Sequence, residues 1–164
     1  MKVDKQMLAD LLDERLDRNT VRAIQSGYKD PGRFDTYLEL LQERAPWPDR
    51  IVLPYGEHMC IVSAGGGRYV IKCFHCGHDF CDHTENWKLE ALIHVRDTEE
   101  KLLEIYPRMM HGDPAWEEIR EYFCPGCCTQ LEVEAVPPGY PPIHDFVPDL
   151  RGFYEGWLGR ELPV

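Results

Sequence analysis

The amino-acid sequence predicts an α+β protein with an antiparallel β core, helices before it and an amphipathic tail after it. Three observations lead to this class. Apolar residues recur at helical spacing through the first 45 residues, the middle of the chain changes to short β-type runs, and helical spacing returns near the end. We therefore expect a helical region over residues 1–48, a β core over residues 49–136, and a proline-rich linker with a docking tail over residues 137–164.

The N-terminal region is predicted to form three helices. The first carries apolar residues spaced three and four apart: Met7, Leu8, Leu11, Leu12 and Leu16. A second helix is expected to begin with Thr20 as its N-cap and to end at Gly27, because a hydroxyl caps a first turn and glycine stops a last one. The Asp30-Pro31 pair marks the start of a third helix, which ends before Pro46.

Short β-type runs predict the strands of the core. Residues 51–53 form one strand candidate, and residues 58–64 and 68–73 form a hairpin joined by three glycines. The glycine triplet lacks the lysine and the following helix of a phosphate-binding loop, so we interpret it as a turn. Residues 120–124 and 131–136 are predicted to be strands on either side of a tight turn.

Between these strands the sequence predicts an additional strand and two helices. Apolar residues alternate along residues 89–95, which is typical of a half-buried strand. Thr98 can cap a helix that carries Leu102, Leu103 and Tyr106. The Asp113-Pro114 pair is another helix-start signal.

The chain after residue 136 is predicted to be a stiff linker followed by a helix. Residues 137–142 are rich in proline and cannot continue a sheet. Beyond them, apolar residues follow the spacing of an amphipathic helix: Leu150, Phe153, Tyr154, Trp157 and Leu158. Gly152 and Gly156 weaken this helix. The tail aromatics, like Trp47 and Trp116, suit docking to another protein, and packing on the chain's own core is the alternative for each.

Two C-x2-C pairs form the strongest chemical motif in the chain. Cys73 and Cys76 make the first pair, Cys124 and Cys127 make the second, and 47 residues separate the pairs. Each pair follows a predicted strand, and two such turns supply the four sulfurs of a tetrahedral Zn²⁺ site with Zn–S distances of about 2.3 Å. The core is therefore predicted to be zinc-ribbon-like, with residues 87–119 as an insertion between its two turns.

Further donors near these pairs leave the ligand set open at this point. They are Cys81, Cys128, His75, His78 and His83. Residues 78–81 could supply a substitute ligand or a second site, and His75 could also replace a ligand. Cys128 adjoins Cys127 and would point differently, so we interpret it as buried or reactive, with ligation as the alternative. Cys60 is predicted to be a core residue, because free cysteine is often buried. A closed four-cysteine site holds a fold together and leaves no position for a substrate.

Composition excludes several functions. The chain has 164 residues, with 18 Lys and Arg against 29 Asp and Glu, and a net charge of −11. This balance disfavours nucleic acid and anionic membranes as partners. No stretch approaches the roughly 18 uninterrupted apolar residues of a spanning helix. The charged N-terminus lacks the apolar core of a signal peptide, so we expect a cytoplasmic protein, where spaced cysteines more often bind metal than form disulfides.

No catalytic motif is visible in the sequence. It lacks G-x-S-x-G, H-E-x-x-H and Walker A patterns. His94 and His144 could act as bases, but neither accompanies a nucleophile, and structural roles fit them better. We therefore predict no catalytic and no organic-cofactor-binding residues in this chain.

Many segments together resemble the family of acetone carboxylase gamma subunits. The resemblance covers nearly the whole length through residues 29–34, 40–44, 76–81, 86–89, 94–98, 104–108, 120–125, 143–146 and 152–159. These segments are far more specific than the C-x2-C pairs, which alone indicate only a zinc ribbon. Cys128 stands where the family has glycine, and the family varies around the first cysteine pair.

The resemblance implies a small zinc-binding subunit in an α2β2γ2 heterohexamer with large alpha and beta subunits. Such an enzyme is a ligase that condenses acetone with bicarbonate to give acetoacetate and cleaves ATP to AMP and two phosphates. It also implies that ATP, Mg²⁺ and Mn²⁺ bind to the large subunits. This chain would then be part of an enzyme without carrying catalytic residues.

Two other functions remain as alternatives. One is the small zinc subunit of the related acetophenone carboxylase, although the length and the tail resemble the acetone enzyme more. The other is a rubredoxin-like electron carrier, because iron and zinc both accept four sulfurs in a tetrahedron. The wide spacing of the cysteine pairs and the N-terminal helices disfavour rubredoxin.

Overall fold

Helices occupy the start of the chain and two antiparallel sheets follow, which confirms the α+β class. The computed structural model describes residues 3–28 and 30–164. The helices are α1 (Lys5–Leu12), α2 (Arg18–Ser26), α3 (Arg33–Arg44) and the short α4 (Glu99–Leu102). One sheet has the strand order β1 (Arg50–Tyr55), β2 (Met59–Ser63), β3 (Tyr69–Cys73) and β4 (Asp79–Asp82). The other has the order β5 (Leu92–Arg96), β6 (Glu118–Phe123) and β7 (Gln130–Val136).

The N-terminal helices begin at different residues from those predicted. Asp17 caps α2, and its carboxylate accepts hydrogen bonds from the backbone N–H groups of Asn19 and Thr20. Thr20 therefore lies inside the first turn. The α3 helix begins at Arg33, because the Asp30 side chain turns back to accept a hydrogen bond from Gly32 N–H and closes a separate turn before the helix.

The predicted glycine hairpin is confirmed. Strands β2 and β3 pair in register, with Ile61 opposite Ile71. Gly65, Gly66 and Gly67 between them have φ angles of 76°, 63° and 76°. Only glycine adopts three successive left-handed conformations at little cost, so the triplet sets the turn.

The segment between the two cysteine pairs is less regular than predicted. Strand β5 is present. The neighbouring residues Leu92 and Ile93 are 50% and 40% exposed, so the first half of the strand lacks the one buried face that was predicted. Thr98 caps α4 as predicted, and the helix ends after one turn. Asp113 starts a single turn, in which its carbonyl accepts hydrogen bonds from Trp116 and Glu117, and no helix forms in the described residues 103–117.

The tail contributes Leu150 to the main hydrophobic core, which also contains Trp87 and residues of both sheets: Val52, Ile61, Ile71 and Tyr122. Tyr154 is 1% exposed, and its hydroxyl donates a 2.7 Å hydrogen bond to the carbonyl of Val52 in β1. The tail forms a short π-type helix, Gly152–Trp157. The pattern had placed Trp157 on the apolar stripe, but its side chain is 85% exposed.

The proline-rich linker lies along the core. The amide of Asn86 donates a 3.0 Å hydrogen bond to the carbonyl of Pro142. The hydroxyl of Tyr55 donates a 2.8 Å hydrogen bond to the carbonyl of Phe146 and lies 3.0 Å from Nε2 of His144. These contacts fix the path by which the chain reaches the tail. Across residues 3–28 and 30–164, no helix combines the length and the apolar character needed to cross a bilayer.

Candidate metal centre

Each cysteine pair lies in the turn of a β-hairpin, one between β3 and β4 and one between β6 and β7. The two turns share one hydrogen-bond pattern. The Cys73 N–H donates to His78 O, and the Gly77 N–H donates to Cys73 O. In the second turn, the Cys124 N–H donates to Thr129 O, and the Cys128 N–H donates to Cys124 O. This repeated geometry presents two sulfurs on one side of each turn.

The residue after each pair adopts a left-handed conformation. Gly77 has a φ of 77° and Cys128 has a φ of 58°. A β-carbon on Gly77 would also lie 2.7 Å from Cδ1 of Trp47, so this position requires glycine for two reasons. Cys128 occupies the matching position at a conformational cost, because a non-glycine residue rarely adopts positive φ.

The structure brings the four predicted cysteine sulfurs into one group. The Sγ atoms of Cys73 and Cys127 are 3.8 Å apart, and those of Cys76 and Cys124 are 3.6 Å apart. All four lie within 4.8 Å of one another. Four sulfurs at about 2.3 Å from a tetrahedral ion are about 3.8 Å from each other, so the group can hold a metal ion without a large rearrangement.

The environments of the two sulfurs in each pair differ. Cys73 and Cys124 are buried, whereas Cys76 and Cys127 are exposed. Burial raises the pKa of the Cys73 thiol and raises that of Cys124 to about 12. The Thr129 hydroxyl, whose Oγ1 lies 3.1 Å from the Cys127 sulfur, lowers the pKa of Cys127 to about 7. A cation among the four sulfurs would favour the thiolate form of the buried pair.

Side chains around the first turn hold it against the rest of the molecule. The indole N–H of Trp47 donates a 3.1 Å hydrogen bond to the carbonyl of Phe74, and the amine of Lys72 lies 5.6 Å from the centre of the indole ring. Trp47 therefore packs on its own chain. A β-carbon on Gly126 would lie 3.1 Å from the Cys76 sulfur, which shows how closely the second turn approaches the first.

The other candidate donors have different neighbours within the described residues. The Cys81 thiol contacts the carbonyl of Glu85, and Cys60 is 2% exposed in the core, as predicted. A ring nitrogen of His75 lies 3.1 Å from one of His58, and the His78 ring packs on Phe80. His83 lies 3.2 Å from an Asp82 carboxylate oxygen, and Cys128 is exposed. The four-cysteine assignment stays a prediction that this arrangement favours.

Sequence reasoning missed a second polar cluster, which is centred on Lys88. The amine of this fully buried residue lies 2.6 Å from Glu132, 3.0 Å from Glu134 and 2.5 Å from Asp145. It also lies 5.2 Å from the centre of the Tyr122 ring. Glu132 and Glu134 alternate on β7 and so share a face, which is the local signal for a charged cluster.

Electrostatics keep Lys88 charged. Burial alone lowers the pKa of a lysine, but hydrogen bonds to Asp145, Glu132 and Glu134 outweigh that effect and raise the pKa of Lys88 above its ordinary 10.5. The Tyr122 hydroxyl donates to Glu134, and burial together with this bond raises its pKa to about 12. The cluster is therefore an internal ion pair network with Lys88 among three carboxylates.

Comparison with known proteins adds the decisive observation. A family model described as the acetone carboxylase gamma subunit matches residues 45–158, which include both cysteine turns and most of the tail. The chain belongs to this family. The resemblance inferred from the sequence segments is thereby confirmed.

Two relatives extend this result. The acetone carboxylase gamma subunit of Xanthobacter autotrophicus is 51% identical over 164 residues, covering 99% of this chain and 97% of the relative. The acetophenone carboxylase beta subunit of Aromatoleum aromaticum is 32% identical over 84 residues, covering 48% of this chain and 62% of that relative. The acetone carboxylase gamma family is thus related to subunits of more than one ketone carboxylase.

Proposed function

We propose that this chain is the small subunit of an ATP-dependent acetone carboxylase and that its own role is structural. The observation that carries the proposal is the similarity to an acetone carboxylase gamma subunit over nearly the full length of both chains. The four-sulfur group and the absence of a catalytic motif in the sequence support a structural role. Acetone and bicarbonate would be joined to give acetoacetate on the large subunits, which would also bind ATP, Mg²⁺ and Mn²⁺.

In this proposal, Cys73, Cys76, Cys124 and Cys127 hold Zn²⁺. Each hairpin turn would supply two of the four ligands, so the ion would fix the two turns to each other and contribute folding free energy. Protein sulfurs would occupy all four coordination positions, which leaves none for a substrate. The alternative with iron predicts a red protein with charge-transfer absorption, whereas zinc predicts a colourless one.

We propose structural roles for His94 and His144. His94 is exposed on β5, and His144 is bonded to the hydroxyl of Tyr55. The free cysteine side chains fit a reducing compartment, so we also propose a cytoplasmic location.

We propose acetone as the substrate of the complex and acetophenone as the second candidate. The acetophenone relative matches only about half of this chain, whereas the acetone relative matches almost all of it. The partners are large alpha and beta subunits in an α2β2γ2 assembly, in which residues 137–164 include a docking segment. Exposed side chains of Phe146 and Trp157 support that role for the tail.

Co-expression tests the proposal directly. A His-tagged form of this chain is expressed with the two large acetone carboxylase subunits of the same organism, purified gently, and analysed for mass, metal and ATP-dependent acetone carboxylation. We expect all three subunits to copurify, with one zinc per copy of this chain and no visible colour. A lone monomer recovered from cells that contain both large subunits would contradict the proposal.

A further inference from the structure

The segment between α4 and β6 exposes an unusual concentration of apolar side chains. We call residues 103–117 the excursion. Its large apolar residues are each at least 42% exposed: Leu103, Ile105, Tyr106, Met109, Met110 and Trp116. Single exposed apolar residues are normal, but soluble proteins rarely expose many together unless they bind something. Loops of this length without regular structure are also uncommon unless they are functional or disordered.

The excursion is an ordered structure. The guanidinium of Arg96 lies 2.6 Å from the Glu104 carboxylate and also donates a 2.9 Å hydrogen bond to the carbonyl of Lys101. Within the excursion, the Met110 N–H donates a 2.9 Å hydrogen bond to the carbonyl of Pro107. Its conformation is therefore held before any partner arrives, which lowers the entropy cost of binding.

The most exposed residue of the excursion also carries backbone strain. Met109 is 91% exposed and has a φ of 65°, a conformation that unbranched non-glycine residues seldom adopt. Strained backbone that persists in an ordered loop is a feature of binding sites. The strain presents the flexible methionine side chain to solvent, where such side chains adapt well to a partner surface.

The charge around the excursion defines the chemistry of its partner. Residues 97–117 contain six acidic and two basic residues. Two copies of this chain would bring like charges together at this surface, which is unfavourable. A complementary partner therefore has an apolar surface rimmed by lysine and arginine.

We propose that the excursion docks on such a surface of a large carboxylase subunit. This inference rests on the proposed function and deepens it, because it locates an interface in the connection between α4 and β6, in addition to the tail. Tyr106 and Trp116 act as aromatic anchors, since these residue types dominate binding free energy at interfaces. By contrast, Leu150 and Tyr154 of the tail are already covered by the chain's own core.

The test uses a triple variant, Met109→Asn, Met110→Ser and Trp116→Ser, co-expressed with both large subunits. Asparagine at position 109 tolerates the left-handed conformation better than other polar residues. We expect the amount of large subunit retained per tagged chain to fall at least about tenfold, while zinc content and thermal unfolding stay as in the wild type. The matched control is Tyr28→Ser, which removes an equally exposed aromatic side chain from the N-terminal region.

The possible outcomes separate this inference from the proposed function. Full retention of both large subunits by the triple variant overturns the docking surface and leaves the subunit role intact. Failure of the wild-type chain to copurify overturns the subunit role itself. The isolated wild-type chain could instead form a dimer that is absent in the triple variant. In that case a second copy of this chain would cover the excursion, and the inference would also be overturned.

A charge-reversal variant covers the case in which the triple variant loses zinc or unfolds. Glu99→Lys with Glu100→Lys changes two exposed residues in the first turn of α4. Weakened capture of the large subunits, with greater recovery at higher salt, supports a basic rim on the partner. Unchanged capture of the large subunits would overturn the proposal that the partner has a basic rim at this surface.

Discussion

The side-chain amine of Lys88 lies 2.5 Å from a carboxylate oxygen of Asp145. Lys88 belongs to a buried 3-10 turn just before β5, and Asp145 follows the proline-rich linker. Their contact ties the path of the tail to the centre of the second sheet. The hairpin that carries the second cysteine pair joins the same network through Glu132 and Glu134 on β7.

Lys88→Met is expected to lower the free energy of unfolding by about 3 kcal/mol. Removing one partner of a buried ion pair leaves the other charges uncompensated, and the partial exposure of Asp145 keeps the loss at the low end of the usual range. Urea denaturation measures the change. Lys101→Met is the control, because Lys101 pairs with Asp97 on the surface, where such pairs contribute little. Equal losses in the two variants would contradict a central role for Lys88.

The same network predicts a loss of stability at alkaline pH. The pKa of Lys88 and that of Tyr122 are both raised in the folded state, so the folded protein holds their protons more tightly than the unfolded chain. Their contribution is full below pH 10, the ordinary pKa of tyrosine, and is lost as pH rises toward their folded values.

Urea titrations between about pH 8 and pH 11 measure this dependence. Tyr122→Phe should show a shallower alkaline decline than the wild type, because one of the two groups no longer titrates. Stability that stays flat or rises above pH 10 would show that these protonated groups do not hold the folded state together.

Cys128→Gly is expected to stabilise the protein by about 1 kcal/mol, because glycine relieves the positive φ of this position. Thermal unfolding of the zinc-loaded chain detects the shift. Cys128→Ser keeps the β-carbon and should give no gain, which separates backbone strain from any effect of the thiol. The reverse change at the matching position, Gly77→Ala, should destabilise, because its β-carbon would meet Trp47. A gain with serine equal to that with glycine would refute the strain argument.

Cys124→Ser is expected to abolish stoichiometric zinc binding, because a weaker oxygen donor would replace a buried sulfur of the four-sulfur group. Metal analysis after gel filtration measures the loss. Cys81→Ser provides the matched comparison, since the Cys81 thiol contacts the carbonyl of Glu85 and lies outside that group. If the Cys81 variant lost zinc and the Cys124 variant retained it, Cys81 would be a metal ligand and Cys124 would not.

Tyr154→Ala and Trp157→Ala should separate folding from docking in the tail. Tyr154 is buried, so its loss should cost about 3–5 kcal/mol of stability. Trp157 is 85% exposed, so its loss should leave the unfolding transition unchanged and weaken only the capture of large subunits. Denaturation and copurification of the two variants measure both effects. Unchanged capture by the Trp157 variant would remove this residue from the interface.

Local chemistry made part of the fold and the site predictable. Successive glycines impose a turn whatever surrounds them, and the C-x2-C spacing places two sulfurs on one turn. Helix starts were harder, because Asp17 and Thr20 both have capping side chains, and only the packed helix shows that Asp17 accepts the hydrogen bonds.

Contacts between distant residues could not be read from the sequence. The 56 residues between Lys88 and Asp145 hold no pattern that predicts their ion pair. Periodicity likewise gives the spacing of a helical stripe without its direction, so it could not show that Tyr154 packs inward while Trp157 faces solvent. For β5, apolar residues do alternate in the sequence, but Leu92, Ile93 and His94 are all exposed, so the alternation did not predict a buried face.

The hydrogen bond from Tyr154 to the carbonyl of Val52 joins residues 102 positions apart. During synthesis, β1 emerges from the ribosome long before this partner is made. The N-terminal helices and the glycine hairpin can form on the growing chain, but the core beside β1 closes only after Tyr154 has emerged. A chain that ends before Tyr154 therefore leaves part of β1 uncovered, and cellular proteases can degrade such a chain before it joins an assembly.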